Sequence, residues 1–258
     1  MPGDLPHYFS QLAPFAPLFE TGRPVLTYHK FGPRPRGVRL KGLYLGTALF
    51  DRQLTELRVA GWKSGSLETP GDPRVKGTPV RREIVLTIDD GFRSVHEHAL
   101  AILRRRDFRA ILFLVADRLG RQNDWEVAEG EAMAPLMNET EVREWLAAGH
   151  VIGSHTLSHP RLTRVAPAAA REEIVASRCR LEDRFGVPVR HFCYPYGDWN
   201  SAVRGWVEEA GYATACTTDF GVNAPGQDRM ALRRITARYP SRGGRVVRGW
   251  WRRLWGRT

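Results

Sequence analysis

The chain has 258 residues, 42% of them hydrophobic, which is enough for one large α/β domain with a buried core or for two small ones. Its 39 Lys and Arg against 28 Asp and Glu give a net charge of +11, but Arg242, Arg245, Arg248, Arg252, Arg253 and Arg257 supply six of these charges in a stretch without acids, so the basic character sits at one end. No apolar run approaches the roughly 18 to 20 residues of a membrane span, and no basic segment followed by an apolar one marks a secretory signal, so a cytoplasmic location is expected.

In chain order, residues 1–23 carry Pro2, Pro6, Pro14 and Pro17 among Tyr8, Phe9, Phe15 and Phe19. They are too interrupted for a helix and are expected to form an extension ahead of the main domain, residues 24–240. Val25-Leu26-Thr27-Tyr28 predicts a strand ending in His29, followed by a Gly/Pro-rich basic loop from Gly32 to Gly37. The C-terminal end of a buried strand is where α/β folds place chemistry, although a lone histidine there is more often structural. Thr47 is expected to cap a helix that buries Phe50, Leu54 and Leu57 and closes at Gly61. A polar loop over residues 64–79 follows.

Ile84-Val85-Leu86 then predicts a buried strand that delivers Asp89 and Asp90 at its C-terminal end. Two adjacent carboxylates leaving a buried strand are costly unless something uses them. Gly91 permits a sharp turn, so one carboxylate can bind a cation while its neighbour faces a substrate. Beyond a helix burying Val95, Ala99, Ile102 and Leu103, the apolar run 110–115 suits a parallel strand covered on both sides. Residues 117–138 predict a loop over the strand ends, anchored by Trp125, and a helix over 141–148 stops at Gly149.

A further strand from Val151 ends in His155-Thr156-Leu157-Ser158-His159-Pro160. Pro160 disfavours helix at His159, so a long helix is excluded and the two imidazoles come from a turn or a helical start. With a carboxylate from the Asp-Asp strand they complete the ligand set of a catalytic zinc site with an open position. A helix from Pro167 to Phe185, the strand around Arg190 to Tyr194, a helix over 201–210, and strands over 213–216 and 231–237 finish the pattern. Cys179, Cys193 and Cys216 stand outside any Cys-x-x-Cys pair and read as small core hydrophobes. Seven strands alternating with helices argue for a parallel β/α architecture in a single domain.

With these residues in view, the chain resembles the polysaccharide deacetylases, the NodB-homology or carbohydrate esterase family 4 enzymes. Thr87 to Gly91 resembles the family's first motif, His155 to His159 its second, and Phe192-Cys193-Tyr194-Pro195-Tyr196-Gly197 its third. The fold this implies is a distorted (β/α)7 barrel. The resemblance implies Asp89 as catalytic base and Asp90, His155 and His159 as metal ligands. It also implies that the backbone N–H of Tyr196 helps to hold an oxyanion and that Tyr194, Pro195 and Arg234 lie on the substrate side. The family's usual Leu-x-His motif near the C-terminus is absent. Val25 to His29 instead resembles the N-terminal segment of the circularly permuted branch acting on poly-N-acetylglucosamine-type polymers, which makes His29 the general acid. Where the third motif commonly has an Arg, this chain has Cys193, and Arg234 is the candidate replacement.

The activity implied is removal of N-acetyl groups from an N-acetylhexosamine-containing glycan, polymeric or lipid-linked. The metal expected is Zn²⁺, with Co²⁺, Ni²⁺ or Mn²⁺ compatible with the same ligands. Two other readings remain at this stage: a barrel that binds glycans without hydrolysing them, made conceivable by the missing motif Arg, and a deacylase of a small non-glycan amide. Written as a helix from Arg245, residues Val246, Val247, Trp250, Trp251 and Leu254 share one face and arginines the other. That pattern fits either an interfacial anchor touching an anionic membrane at the inner face or a helix docked on the barrel. No nucleic-acid partner is expected.

Overall fold

A computed structural model describes residues 5–68 and 82–239; the amphipathic segment expected at 241–258 lies outside the described residues, as does most of the polar loop at 64–79. Among the described residues, seven short strands hydrogen-bond in parallel in chain order. They are β1 (Val25–Tyr28), β2 (Glu83–Ile88), β3 (Ala110–Leu114), β4 (Val151–Ser154), β5 (His191–Cys193), β6 (Thr214–Phe220) and β7 (Leu232–Thr236). Strand β1 pairs with both β2 and β7, so the sheet closes on itself as the expected distorted (β/α)7 barrel. Closure removes the unpaired edges that an open sheet would present.

The strands read as nearly continuous apolar runs because both faces are covered. Alternation sorts their side chains into two cores. Val25, Val85, Ile111, Phe113, Cys193, Cys216 and Leu232 form a small inner cluster, while Leu26, Leu86, Leu112, Ile152, Phe192, Ala215 and Ile235 join the larger outer one. The lumen is tight. A Cβ on Gly153 would stand 2.6 Å from the Phe113 ring, which explains a glycine in the middle of β4.

Helices α1 (Thr47–Val59), α2 (Arg93–His98), α3 (Leu100–Arg106), α4 (Glu139–Ala147), α5 (Pro167–Phe185) and α6 (Ser201–Glu209) accompany the strands. Their local details refine the sequence expectations. The N-cap of α1 is Gly46 in extended conformation, and Thr47 is already helical, because the cap is a matter of backbone geometry and not of the nearest hydroxyl. The single helix expected after Phe92 breaks at Ala99 into α2 and α3. Asn138 and Glu141 form a reciprocal capping box that starts α4 two residues before the predicted start. The loop over 117–138 contains two 3-10 segments, Ala116–Arg118 and Asp124–Glu129.

Residues expected as an N-terminal extension contribute directly to the core. Phe9 and Phe15 are fully buried and Phe19 nearly so. The Phe9 N–H donates to the Thr236 carbonyl and the Phe9 carbonyl accepts from Arg238 N–H, docking the segment beside β7. No described helix is long and apolar enough to cross a membrane.

Two histidines at the N-terminal ends of strands, away from the Asp89 and Asp90 carboxylates, carry a pH signature. His150 accepts the Ala110 N–H at Nδ1 and stacks on Trp145, and His191 bonds Thr214. Burial pushes both imidazoles down to about 4 from an ordinary 6.5. As pH falls below 6.5 the unfolded chain takes up protons that the folded chain refuses until pH nears 4, so stability drops across that window. About 2–3 kcal/mol per histidine is at stake. In urea unfolding with EDTA present, His150→Asn, whose side-chain oxygen can still accept from Ala110, should lose about 2 kcal/mol less than wild type between pH 7 and pH 4.5. Equal losses in the two proteins would contradict this assignment.

Candidate active site

Strand parity explains the first half of the site. Val85 belongs to the lumen cluster, so Thr87 and Asp89 continue the inward face of β2, as Leu232 and Arg234 do for β7 and Cys193 for β5. Asp89 and Arg234 therefore meet at the top of the lumen. Arg234 Nη1 donates to Asp89 Oδ1 and Nη2 to Asp89 Oδ2, each at 2.8 Å, a bidentate pair between side chains that are 4% exposed or less. The remaining guanidinium contacts are Nε to the Thr217 carbonyl at 2.8 Å, Nη1 to Thr87 Oγ1 at 3.1 Å and Nη2 to Cys193 Sγ at 3.2 Å. Burial would raise the Asp89 carboxyl, but Arg234, with His29 and His155, holds it below the usual carboxylate range. The missing motif Arg is thus no vacancy at Asp89, since a guanidinium from another strand lies against both Asp89 and Cys193.

The second half depends on breaking that parity. Asp90 is left-handed (φ 73°), as is Gly91 (φ 77°), so the chain turns within the Asp-Asp pair and Asp90 leaves the direction its neighbour takes. Among the described residues, four of the five non-glycines with positive φ are Asp90, Thr156, His159 and Tyr196. Backbone strain of this kind costs on the order of 1–3 kcal/mol per residue and persists only where packing over-determines it. Glu173 of α5 helps to do so. Its carboxylate accepts the N–H groups of Leu157 and Ser158 and the Ser158 hydroxyl, fixing the turn between the two histidines.

Asp90 Oδ1 lies 3.4 Å from His155 Nε2 and 3.4 Å from His159 Nε2, and the two Nε2 atoms are 3.2 Å apart. Ligands about 2.0–2.1 Å from a tetrahedral ion stand roughly 3.3–3.4 Å from one another. The triangle therefore has the dimensions of one face of such a sphere. His155 Nδ1 is 2.7 Å from the Cys193 carbonyl oxygen, so Nδ1 carries a proton and Nε2 is the nitrogen turned toward Asp90. Asp89, His155 and Cys193 also converge, but Asp89 is engaged by Arg234 and burial pushes the Cys193 thiol up to about 11, leaving it protonated. The residues that fit a divalent cation are Asp90, His155 and His159.

His29 leaves β1 beside this cluster, with Nε2 3.7 Å from Asp89 Oδ2 and its side chain 19% exposed. Burial lowers its pKa against the pull of Asp89 and Asp90. Tyr196 stands edge-on to His159, ring centroids 4.6 Å apart, and the Arg161 guanidinium lies 3.9 Å from the Tyr196 ring's centre. Tyr194 does not join the site. Its ring packs in the outer core, stacks on Trp199, and donates its hydroxyl to the Met230 carbonyl, because it is one residue out of phase with lumen-facing Cys193. Pro195 is buried, and Arg234 is only 3% exposed, so it meets Asp89 and not solvent.

The polysaccharide deacetylase family profile matches residues 76–215, more than half the chain. The chain belongs to the polysaccharide deacetylase family. Among curated relatives, YxkH of Bacillus subtilis (strain 168) is 24% identical over 157 residues, covering 61% of this chain and 52% of that protein. The chitooligosaccharide deacetylase of Bradyrhizobium sp. (strain ANU 289) is 28% identical over 141 residues, covering 54% and 56%. The chain spans about half the length of these relatives. The solved structure of IcaB from Ammonifex degensii superposes with a TM-score of 0.72 at 23% identity, over 90% of this chain and 97% of that one, a likeness of fold. His29 and Arg234 both lie outside the matched span and complete the site from β1 and β7.

Sequence reasoning missed Glu173, whose role depends on a contact sixteen residues back. The Asp89–Arg234 pair yields a direct test. Arg234→Met leaves a buried carboxylate without its guanidinium and should destabilise the chain by about 3–5 kcal/mol, whereas adding Asp89→Asn to the same chain should recover a substantial part. Additive losses in a urea-unfolding cycle would contradict the coupling.

Proposed function

We propose that the chain is a divalent-metal-dependent deacetylase that hydrolyses N-acetyl groups of N-acetylhexosamine units in a glycan, polymeric or lipid-linked, releasing acetate and a free amine. The observation that carries this reading is a buried carboxylate, Asp89, fixed by Arg234 and standing between the convergent Asp90, His155 and His159 triad and a histidine, His29, at the mouth. The family's description and the chitooligosaccharide named for the Bradyrhizobium relative support the substrate class.

Asp90, His155 and His159 would hold a divalent cation, which would supply Lewis acidity at the acetyl carbonyl and make water a stronger acid. Asp89 accepts the proton of the attacking water; Arg234 keeps both its oxygens oriented and its charge in place. The water oxygen bonds the carbonyl carbon, and the Tyr196 N–H hydrogen-bonds the oxygen that becomes negative. His29, protonated, donates to the nitrogen as the carbon–nitrogen bond breaks, so the amine leaves neutral and acetate remains. A lowered pKa makes His29 the stronger donor when charged, and Asp89 nearby favours that charged form.

Acetate release from N-acetylglucosamine oligomers tests these roles. Asp89→Asn should retain metal but lower the rate by roughly 10²–10⁴. His29→Ala should lose most hydrolysis of the amide while sparing an activated acetyl ester, whose leaving group needs no proton. Near-wild-type turnover by the first variant, or equal losses on both substrates by the second, would count against the assignment.

A further inference from the structure

The two candidate metal-ligating histidines are held by different means. His155 is oriented by its Nδ1–H to the Cys193 carbonyl, but His159 Nδ1 is buried and has no hydrogen-bond partner among the described residues. A liganding imidazole ordinarily donates its second nitrogen to a carboxylate, carbonyl or water, which fixes the ring. At His159 the ring is instead enclosed by aromatics. The Trp125 indole lies on one side, centroids 4.7 Å apart with planes 25° from parallel, and Tyr196 meets it edge-on at 4.6 Å and 68°.

Trp125 sits in the 3-10 segment Asp124–Glu129, which has no strand or long helix to hold it. The segment is tied through Glu126 to a buried cation. Lys30, next to His29 and 2% exposed, places Nζ 3.0 Å from Glu126 Oε2 and 3.9 Å from Glu131 Oε1, over the rings of Phe92 and Tyr44. Asn123 donates to the same Glu126 oxygen, and Glu131 accepts from the Tyr44 hydroxyl and the Leu40 N–H. The carboxylates on either side of this turn are thus tied to a side chain that projects from the residue after His29. A lysine is almost never buried so completely unless it is paired, and its pairing here fixes a loop.

We propose that Trp125 is a positioning residue for His159, holding by stacking a ring whose Nδ1 has no hydrogen-bond partner among the described residues, and that the buried Lys30 with Glu126 and Glu131 holds Trp125 in register. This rests on the metal site proposed above. Loss of the indole frees His159 to rotate about its side-chain torsions, so the triad must be ordered at the moment of binding and affinity falls. Phe at 125 restores a stacking face; Leu does not. Met at 30 removes the cation but none of the liganding atoms, leaving two carboxylates to push the turn apart.

The test uses Co²⁺, whose visible spectrum reports coordination geometry and whose affinity is read by chelator competition on the full chain, with folding checked by circular dichroism. Trp125→Leu should bind Co²⁺ about 10- to 100-fold more weakly, the usual effect of losing an outer-sphere support, with an altered spectrum. Trp125→Phe should return most of the affinity, and Lys30→Met should weaken binding in the same direction. Wild-type affinity and spectrum in a folded Trp125→Leu protein would overturn the proposal while leaving the metal site intact. Failure of the wild-type chain to take up Co²⁺ would remove the metal site and this inference together. If Lys30→Met does not fold, the pair of Trp125 variants, at a half-buried loop position, still decides.

Discussion

A low-dielectric interior must balance its charges, and this constraint organises the top of the barrel. Among the described residues six ordinarily charged side chains other than histidine are buried: Asp89, Asp90, Glu126, Glu131, Lys30 and Arg234. Four carboxylates thus face two fixed cations, Lys30 and Arg234. The pairings follow from it. Arg234 takes Asp89, Lys30 takes Glu126 and Glu131, and Asp90 is left facing two imidazoles. An isolated buried carboxylate costs several kcal/mol, so each pairing is also a restraint on where its loop can go.

Barrel closure carries the same constraint to the ends of the described chain. His29 ends β1 and Arg234 lies in β7, strands far apart in sequence that pair side by side and flank the span matching the family profile. Pairing of β1 with β2 brings the candidate general acid, and closure by β7 the guanidinium, to the same carboxylate. A barrel opened between β1 and β7 would keep the cation ligands but separate the groups around Asp89. Docking of Phe9, Phe15 and Phe19 against this seam reinforces it from the N-terminal side.

Much of this was legible in the sequence because buried parallel strands are written as local apolar runs and their chemistry follows directly at the C-terminal ends. All seven strands, Asp89, Asp90, His155 and His159 are readable in that way. Arg234 is legible only through a need, the absence of an Arg at position 193, and its place on a late strand. Other features are not local. The direction of Tyr194 depends on strand phase around Cys193, which a three-residue strand barely displays. That Lys30 is buried depends on carboxylates about a hundred residues away, and the contact of Trp125 with His159 depends on how a loop lies over the barrel. The sequence signals the left-handed turn at Gly91, where φ is also positive, and not at Asp90, because glycine advertises that conformation and aspartate does not.

The division between a carboxylate that holds the cation and one that works as a base is open to direct observation. Crystals grown with Zn²⁺ and measured at the zinc absorption edge should give one strong anomalous peak about 2.0–2.2 Å from an Asp90 oxygen and the Nε2 atoms of His155 and His159, with Asp89 still paired to Arg234. A peak bonded to Asp89, His155 and Cys193, or no peak at the top of the barrel, would contradict that division.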